Sequence, residues 1–406
     1  MKKDETLIGG RKNRRSFLKN GMVAAGAMTA GVGLMSGSAS FADEGGDRSP
    51  VTKGDIAILT FLSALEQVEA DLWIQYTELG GPTPNVPSSI GLSPIDLELN
   101  GKKIASGLAP AYITGLQVLD TDMPQYIADN TDDEISHHRF LNNYLASKGA
   151  KTIDLSSFAI LPPSRVSGVP QNGRLTNLKQ LTVDTSWWTR YRSDNKNPDL
   201  GGTFQNAVPD LAKGQHPAIP ESNDDLVLDK SGNISTHLQA IANTAGFHFC
   251  FIEQGGSSLY PTLAQKVTNL EVLRILLSIG PSETMHFQVW HDKAGNAKVL
   301  TDGALSFPDL NSGTNPNGGG GTQQEVADSF QTNLIMPEPT FFLHQSLGPV
   351  SIIRPTSEAG GGGAVSAVTG FVQDGLFIDP ASNKNSPIVP VLMRLAEEAD
   401  EARRGF

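Results

Sequence analysis

Four long stretches of this chain carry helical apolar seams, and each seam is interrupted by a glutamate. Residues 55–79 contain neither Pro nor Gly and stop at Gly80-Gly81-Pro82, so they read as a helix. Pro124 suits the first turn of a second helix that ends near Ser147, ahead of Gly149. A third runs from Ile234 to about Glu253 and closes at Gly255-Gly256. A fourth runs from Leu270 to Asp292 with Gly280-Pro281 inside it, where a missing backbone hydrogen bond predicts a kink. Steps of three and four residues trace the face that each helix turns to its neighbours. The first seam is Leu62, Leu65, Glu69, Leu72, Tyr76; the stripe Leu59, Leu62, Glu66, Glu69, Trp73 is equally good. The second is Met123, Ile127, Asn130, Glu134, His137, Leu141, Tyr144. The third is Ala242, Gly246, Phe249, Glu253, Gly256, Tyr260, and the fourth is Val272, Leu276, Ile279, Glu283, His286, Trp290.

A lone carboxylate on a buried seam costs several kcal/mol unless it is paired or bound to a metal. Four such interruptions are therefore better explained together than one by one. Two of them are Glu-x-x-His, Glu134/His137 and Glu283/His286, which set a carboxylate and an imidazole on one helical face. The chain has 17 Glu and 8 His, and at those frequencies about 0.3 such spacings arise by chance, so two within apolar seams carry information. One Glu from each of two helices with Glu-x-x-His from each of two others is the ligand set of di-iron and di-manganese bundles. Hard carboxylates and borderline imidazoles suit iron or manganese.

These residues resemble the ferritin-like superfamily, and more closely its exported bacterial members related to desiccation-associated proteins. The resemblance rests on Leu65-Glu66-Gln67-Val68-Glu69, Asp133-Glu134-Ile135-Ser136-His137 with Phe140-Leu141, Glu253, and Ser282-Glu283-Thr284-Met285-His286, within residues 55–150 and 234–295. It implies a mainly α fold: a ferritin-like antiparallel four-helix bundle, with a long crossover insert and an irregular C-terminal extension. The family's ligands would fall on Glu69, Glu134, His137, Glu253, Glu283 and His286, with Glu66 competing for the place of Glu69. They would hold two iron or manganese ions that act on oxygen or peroxide, as a catalase-like or ferroxidase-like site. The competing expectation is a metal-free structural or stress-protective protein built on the same bundle. The large insert and tail depart from the compact chains of ferritin storage cages.

The first 42 residues read as an address. Asn13-Arg14-Arg15-Ser16-Phe17-Leu18-Lys19 precedes a weakly apolar stretch and Ser40-Phe41-Ala42, small at the positions that flank a cut. This resembles a twin-arginine export signal, and implies a periplasmic or secreted protein whose partner in transit is that export machinery. Removing the segment's charge of +5 from the whole chain's -12 leaves -17. Such an acidic chain is unsuited to phosphate backbones, so no nucleic-acid partner is expected. No membrane embedding is expected after cleavage. One cysteine, Cys250, excludes an internal disulfide framework.

The mature chain divides into residues 43–299, a bundle with an insert at 151–233, and a Gly-rich extension at 300–406. Within the insert, the Trp187–Tyr191 cluster reads as a hydrophobic anchor, and Asp229, Ser231 and Asn233 fall short of a calcium loop. Glycine tracts at 318–321 and 360–363 read as spacers, and an amphipathic helix is predicted over 390–403. Tyr76 and Tyr260 follow Glu69 and Glu253 by seven residues each. They read as core tyrosines, or as hydrogen-bond or electron-hole partners of the site. Cys250 reads as a small buried hydrophobe; His138, a quarter turn from His137, reads as a surface group or a support beside the site; and His216, His237, His248, His291 and His344 lack ligand spacing and read as packing or solvent-facing groups.

Overall fold

Thr52 starts the first long helix with a reciprocal cap. Its hydroxyl accepts from the Asp55 amide while the Asp55 carboxylate accepts from the Thr52 amide, which satisfies donors that a helix start leaves open. The helix that follows is α1 (Lys53–Gly80). The same carboxylate accepts from the amides of Thr268 and Asn269, so one side chain ties the start of α1 to the start of another long helix. A computed structural model describes residues 50–83, 97–190, 205–310, 339–352 and 363–405. The expected address at 1–42, Tyr191 and the glycine tract at 318–321 lie outside them.

The described chain is mainly helical. After α1 come α2 (Pro110–Leu116), α3 (Met123–Ser147), α4 (Thr236–Ala264), α5 (Leu270–Ala294), α6 (Ala364–Gln373) and α7 (Ile388–Glu401). Four two-stranded hairpins decorate them: β1 (Glu98–Leu99) with β2 (Lys102–Lys103), β3 (Leu300–Asp302) with β4 (Leu305–Phe307), β5 (Pro339–Phe341) with β6 (Pro349–Ser351), and β7 (Ile378–Asp379) with β8 (Lys384–Asn385). Among the described residues no helix is long and apolar enough to cross a membrane.

Side-chain contacts fix the helix directions. Thr77 meets Thr131 and Glu66 meets His137, so α1 and α3 are antiparallel. Glu253 meets His286, and Gly280 backs onto Tyr260, so α4 and α5 are antiparallel. Tyr76 meets His248 and Tyr260 meets Glu66, which makes α1 and α4 antiparallel too. It follows that α3 and α4 run the same way. The connection between them must therefore travel back along the full length of a helix of about 37 Å at 1.5 Å per residue, which is why it is long.

That connection and the tail share one hydrophobic core with the long helices. Leu178, Leu181, Val183, Trp187 and Trp188 enter it from the insert, and Phe307, Val368, Phe371, Leu392 and Leu395 from the tail. The extension holds α7 near the helix expected over 390–403 and, beyond that expectation, the helix α6; α6 and α7 pack on each other, and α7 packs on α1. Glycines flanking α6 hid a short apolar helix that only tertiary burial stabilises.

A second correction concerns α4, which does not end at Gly255-Gly256 but runs on to Ala264 with Pro261 inside it. Gly256 is a point of close approach: a Cβ there would lie 2.7 Å from Glu283 Oε2. Packing on both sides outweighs the helix penalty of about 1 kcal/mol for glycine. Gly280 plays the same part in α5, where a Cβ would lie 2.8 Å from that of Tyr260, and α5 continues through Gly280-Pro281 as helix.

Candidate metal centre

Each Glu-x-x-His spans just under one helical turn, so both side chains of a pair leave the same face. On α3 this aims Glu134 and His137 inward; on α5 it aims Glu283 and His286 at them. Glu66 comes from α1 and Glu253 from α4. The potential ligand atoms fall into two groups, each within 4.8 Å: Glu66, Glu134, His137 and Glu283, and Glu134, Glu253, Glu283 and His286. Glu134 and Glu283 belong to both. Their oxygens divide between the halves. Glu134 Oε2 and Glu283 Oε1 lie 3.2 Å from His137 Nδ1, while Glu134 Oε1 and Glu283 Oε2 lie 3.2 and 4.0 Å from His286 Nδ1. Glu66 Oε2 stands 3.3 Å from His137 Nδ1, and Glu253 Oε2 3.3 Å from His286 Nδ1.

Of the two competing glutamates on α1, Glu66 lies in the first group and Glu69 in neither. Both glutamates are buried on one face of α1 three residues apart, so helical spacing alone does not separate them. The other five expected residues, Glu134, His137, Glu253, Glu283 and His286, are brought together.

Several contacts orient these groups. The Asn130 amide donates to both Glu134 Oε1 and Glu253 Oε1, each at 2.9 Å, and Asn130 accepts from Trp290 Nε1 at 2.8 Å. The Tyr260 hydroxyl donates to Glu66. On the outer side, His286 Nε2 lies 3.0 Å from Asp133 Oδ2, and His137 Nε2 lies 3.3 Å from the Ser282 hydroxyl. Asn130 already stood on the second seam. Asp133, adjacent to Glu134, and Ser282, adjacent to Glu283, sit on no seam and carried no signal for this role.

Burial and crowding shift the protonation of these groups. Five buried carboxylates, Glu66, Glu69, Glu134, Glu253 and Glu283, meet two imidazoles. Burial pushes Glu134 up to about 7, against the pull of His137. Burial and the neighbouring carboxylates push Glu69 and Glu283 well above the usual range. Burial acts most strongly on Glu66, but the adjacent His137 ring, joined by hydrogen bonds from Glu134 and Tyr260, outweighs it and holds this carboxyl low. Burial opposes the charging of His137 and His286, yet Glu66 and Glu134 around the first and Glu253 and Asp133 around the second raise both well above the ordinary imidazole value.

One ring nitrogen carries at most one proton, yet His137 Nδ1 faces three carboxylate oxygens at 3.2–3.3 Å. Both oxygens of Glu283 are buried without a hydrogen bond; the 3.2 Å approach of His137 is not aligned for one. Donors bound at about 2.0–2.2 Å to a shared ion stand about 3 Å from each other, which is the spacing seen. These buried Glu and His groups could therefore hold a metal ion.

The remaining candidates lie elsewhere. Cys250 is buried in neither group, its thiol 3.4 Å from the Gly246 carbonyl. Trp187 and Trp188 pack with Phe247 and His291, anchoring the insert. Asp229 closes its own turn on the amides of Ser231 and Asn233. His216 contacts the Asp210 carbonyl, His237 pairs with Asp302, and His344 with Ser346. Comparison with known proteins finds no matching family model, no matching curated protein and no matching solved structure.

Proposed function

We propose that this chain is an exported ferritin-like protein, built on a ferritin-like antiparallel four-helix bundle with a long crossover insert, that holds two iron or manganese ions and acts as an oxidoreductase on oxygen or peroxide. The observation that carries the reading is the division of the Glu134 and Glu283 oxygens between two histidine-bearing halves. Glu66 and His137 would hold one ion, Glu253 and His286 the other, and Glu134 and Glu283 both. Such a pair supplies redox equivalents and an open coordination position for the oxidant.

The chain's own residues do the rest. Asn130 fixes two carboxylates at once, and Tyr260 fixes Glu66. Asp133 and Ser282 set the rings of His286 and His137, a support that sharpens ligand orientation and basicity. Trp73, Phe249 and Trp290 pack together behind Asn130, to which Trp290 donates. Peroxide and oxygen consumption by the metal-loaded protein tests the reading, with the Glu134→Ala, Glu283→Ala double variant as control. The reading expects turnover that the double variant lacks. Equal rates would favour the metal-free, stress-protective alternative.

The N-terminal segment supports the export part of the proposal, with the twin-arginine machinery as transient partner and a periplasmic or secreted destination. Changing Arg14 and Arg15 to Lys is expected to retain the precursor in the cytoplasm, read by fractionation; unchanged secretion would reject that route.

A further inference from the structure

Away from the carboxylate–histidine centre, the insert and the tail meet where a second acid is buried without a donor. Two backbone hydrogen bonds lay them together: the Asn177 amide donates to the Leu376 carbonyl at 2.7 Å, and the Thr182 amide to the Asp374 carbonyl at 2.9 Å. Asp374 follows the last residue of α6 and closes it, its amide turned back on the Gly370 carbonyl at 2.9 Å. The residue is only 7 % exposed, and its Oδ2 is buried with no hydrogen-bond partner among the described residues. Burial first, then the Asp184 charge, push this carboxyl up to about 8. Asp184 stands on the insert two residues past Thr182 and is half-buried. Its Oδ1 accepts from the Ser186 amide at 2.8 Å and its Oδ2 from the Ser186 hydroxyl at 3.0 Å. A turn thus holds this carboxylate in place, with lone pairs left for a further contact.

Three features of Asp374 are unfavourable together. A helix C-terminus carries partial negative charge, which disfavours an acid there. A second carboxylate acts on it. A buried charge without a donor is costly. Protonation removes the charge but does not repair the site, because Oδ2 is then either an acceptor without a donor or an O–H without an acceptor. A cation answers all three at once. The Gln180 carbonyl offers a further oxygen: a Cβ on Gly375 would lie 2.9 Å from it, and Gly375 has φ +85°. Glycine therefore lets this carbonyl approach the backbone next to Asp374.

We propose that Asp374 and Asp184 hold a calcium ion that staples the insert to the tail, with the Gln180 carbonyl and water completing its shell. Every donor is an oxygen, with no imidazole or thiolate to draw a transition metal, and oxygen donors select a hard cation. Calcium accepts about 6–8 oxygens in loose geometry, whereas magnesium demands a near-ideal octahedron. A helix end against a loop suits the looser requirement. The site shares no residue with the carboxylate–histidine centre, so it stands whether or not that centre holds metal.

The test uses the full mature chain carrying Glu134→Ala and Glu283→Ala, so that the carboxylate–histidine centre does not compete. This parent is stripped with a chelator and titrated with calcium chloride. Calorimetry should show one calcium per chain with a Kd of about 0.1–1 mM, the range of sites with few charged ligands. The melting temperature should climb with calcium concentration, and magnesium chloride should raise it by less. Asp374→Asn should lose the calcium response at an unchanged helical circular-dichroism signal. In chelator at pH above 8 it should melt higher than the parent, because an amide replaces a buried charge that has no donor. Asp184→Asn should weaken calcium binding by about 10-fold or more. No calcium-dependent rise in the parent, an Asp374→Asn chain that responds as the parent does, or magnesium acting as strongly as calcium overturns the inference. An Asp374→Asn chain that melts below the parent in chelator makes the acid a structural hydrogen-bonding group and overturns it as well.

Discussion

The two groups of Glu and His side chains are built from the same residue types but sit in different surroundings. Around His137, the outer contact is the neutral Ser282 hydroxyl, and Glu66 is held by the Tyr260 hydroxyl. Around His286, the outer contact is the Asp133 carboxylate, and Glu253 is held by the Asn130 amide. A carboxylate behind an imidazole makes it a stronger donor than a hydroxyl does. The Glu66 helix also carries Glu69 one turn further on, buried and biased toward its protonated form. A repeated Glu-x-x-His motif thus yields two inequivalent groups: the His286 group has an added carboxylate, Asp133, on its outer side, and the His137 group has a buried acid, Glu69, beside Glu66 on α1.

The largest expected effect removes what the halves share. Glu134→Ala with Glu283→Ala should take the metal content from two ions to none while circular dichroism keeps the helical signal. Full metal retention would sink the assignment. Next comes a change confined to one half. Glu66→Gln should cost the ion beside His137 and leave one, whereas Glu69→Gln should leave two. Glu69→Gln should also raise thermal stability, because a carboxyl whose folded pKa lies above its unfolded one weakens folding as pH rises between them, and the amide mimics the protonated form. Swapped outcomes for the two glutamates would return the ligand role to Glu69.

The outer contacts sharpen the comparison further. Asp133→Asn should weaken the affinity of the His286 position by about 10–100-fold, and Ser282→Ala should weaken the His137 position by less; metal titration of each variant reads both. Equal effects would mean that the two surroundings do not matter. The smallest effect concerns protons. Glu134 is pushed up to about 7 and both histidines are held protonated above their ordinary range in the metal-free chain. Ligands must be deprotonated to bind, so metal affinity should fall as pH drops through 7 and keep rising above it. More than one proton should be released per metal pair, as measured by calorimetry in buffers of different ionisation heat. Binding without proton release would contradict the charge states described here.

The seams made most of this arrangement legible. Glu134, His137, Glu283 and His286 were readable because a fixed spacing of three residues places both groups of a pair on one face. Glu253 was readable as an acid on an otherwise apolar stripe. Glu66 and Glu69 fit the same stripe, and only the position of α1 against α3 separates them. The continuation of α4 past Gly255-Gly256 was hidden because the reason for Gly256 is the Glu283 carboxylate on another helix. The same holds for Asp133 and His248, whose partners His286 and Tyr76 lie 153 and 172 residues away in sequence.

The central claim is that two ions share Glu134 and Glu283. Metal analysis of the natively exported protein, joined to magnetic spectroscopy of the same sample, tests it most directly. The account predicts two iron or manganese ions per chain, magnetically coupled through common carboxylates. A chain exported without metal, or with a single isolated ion, would contradict it.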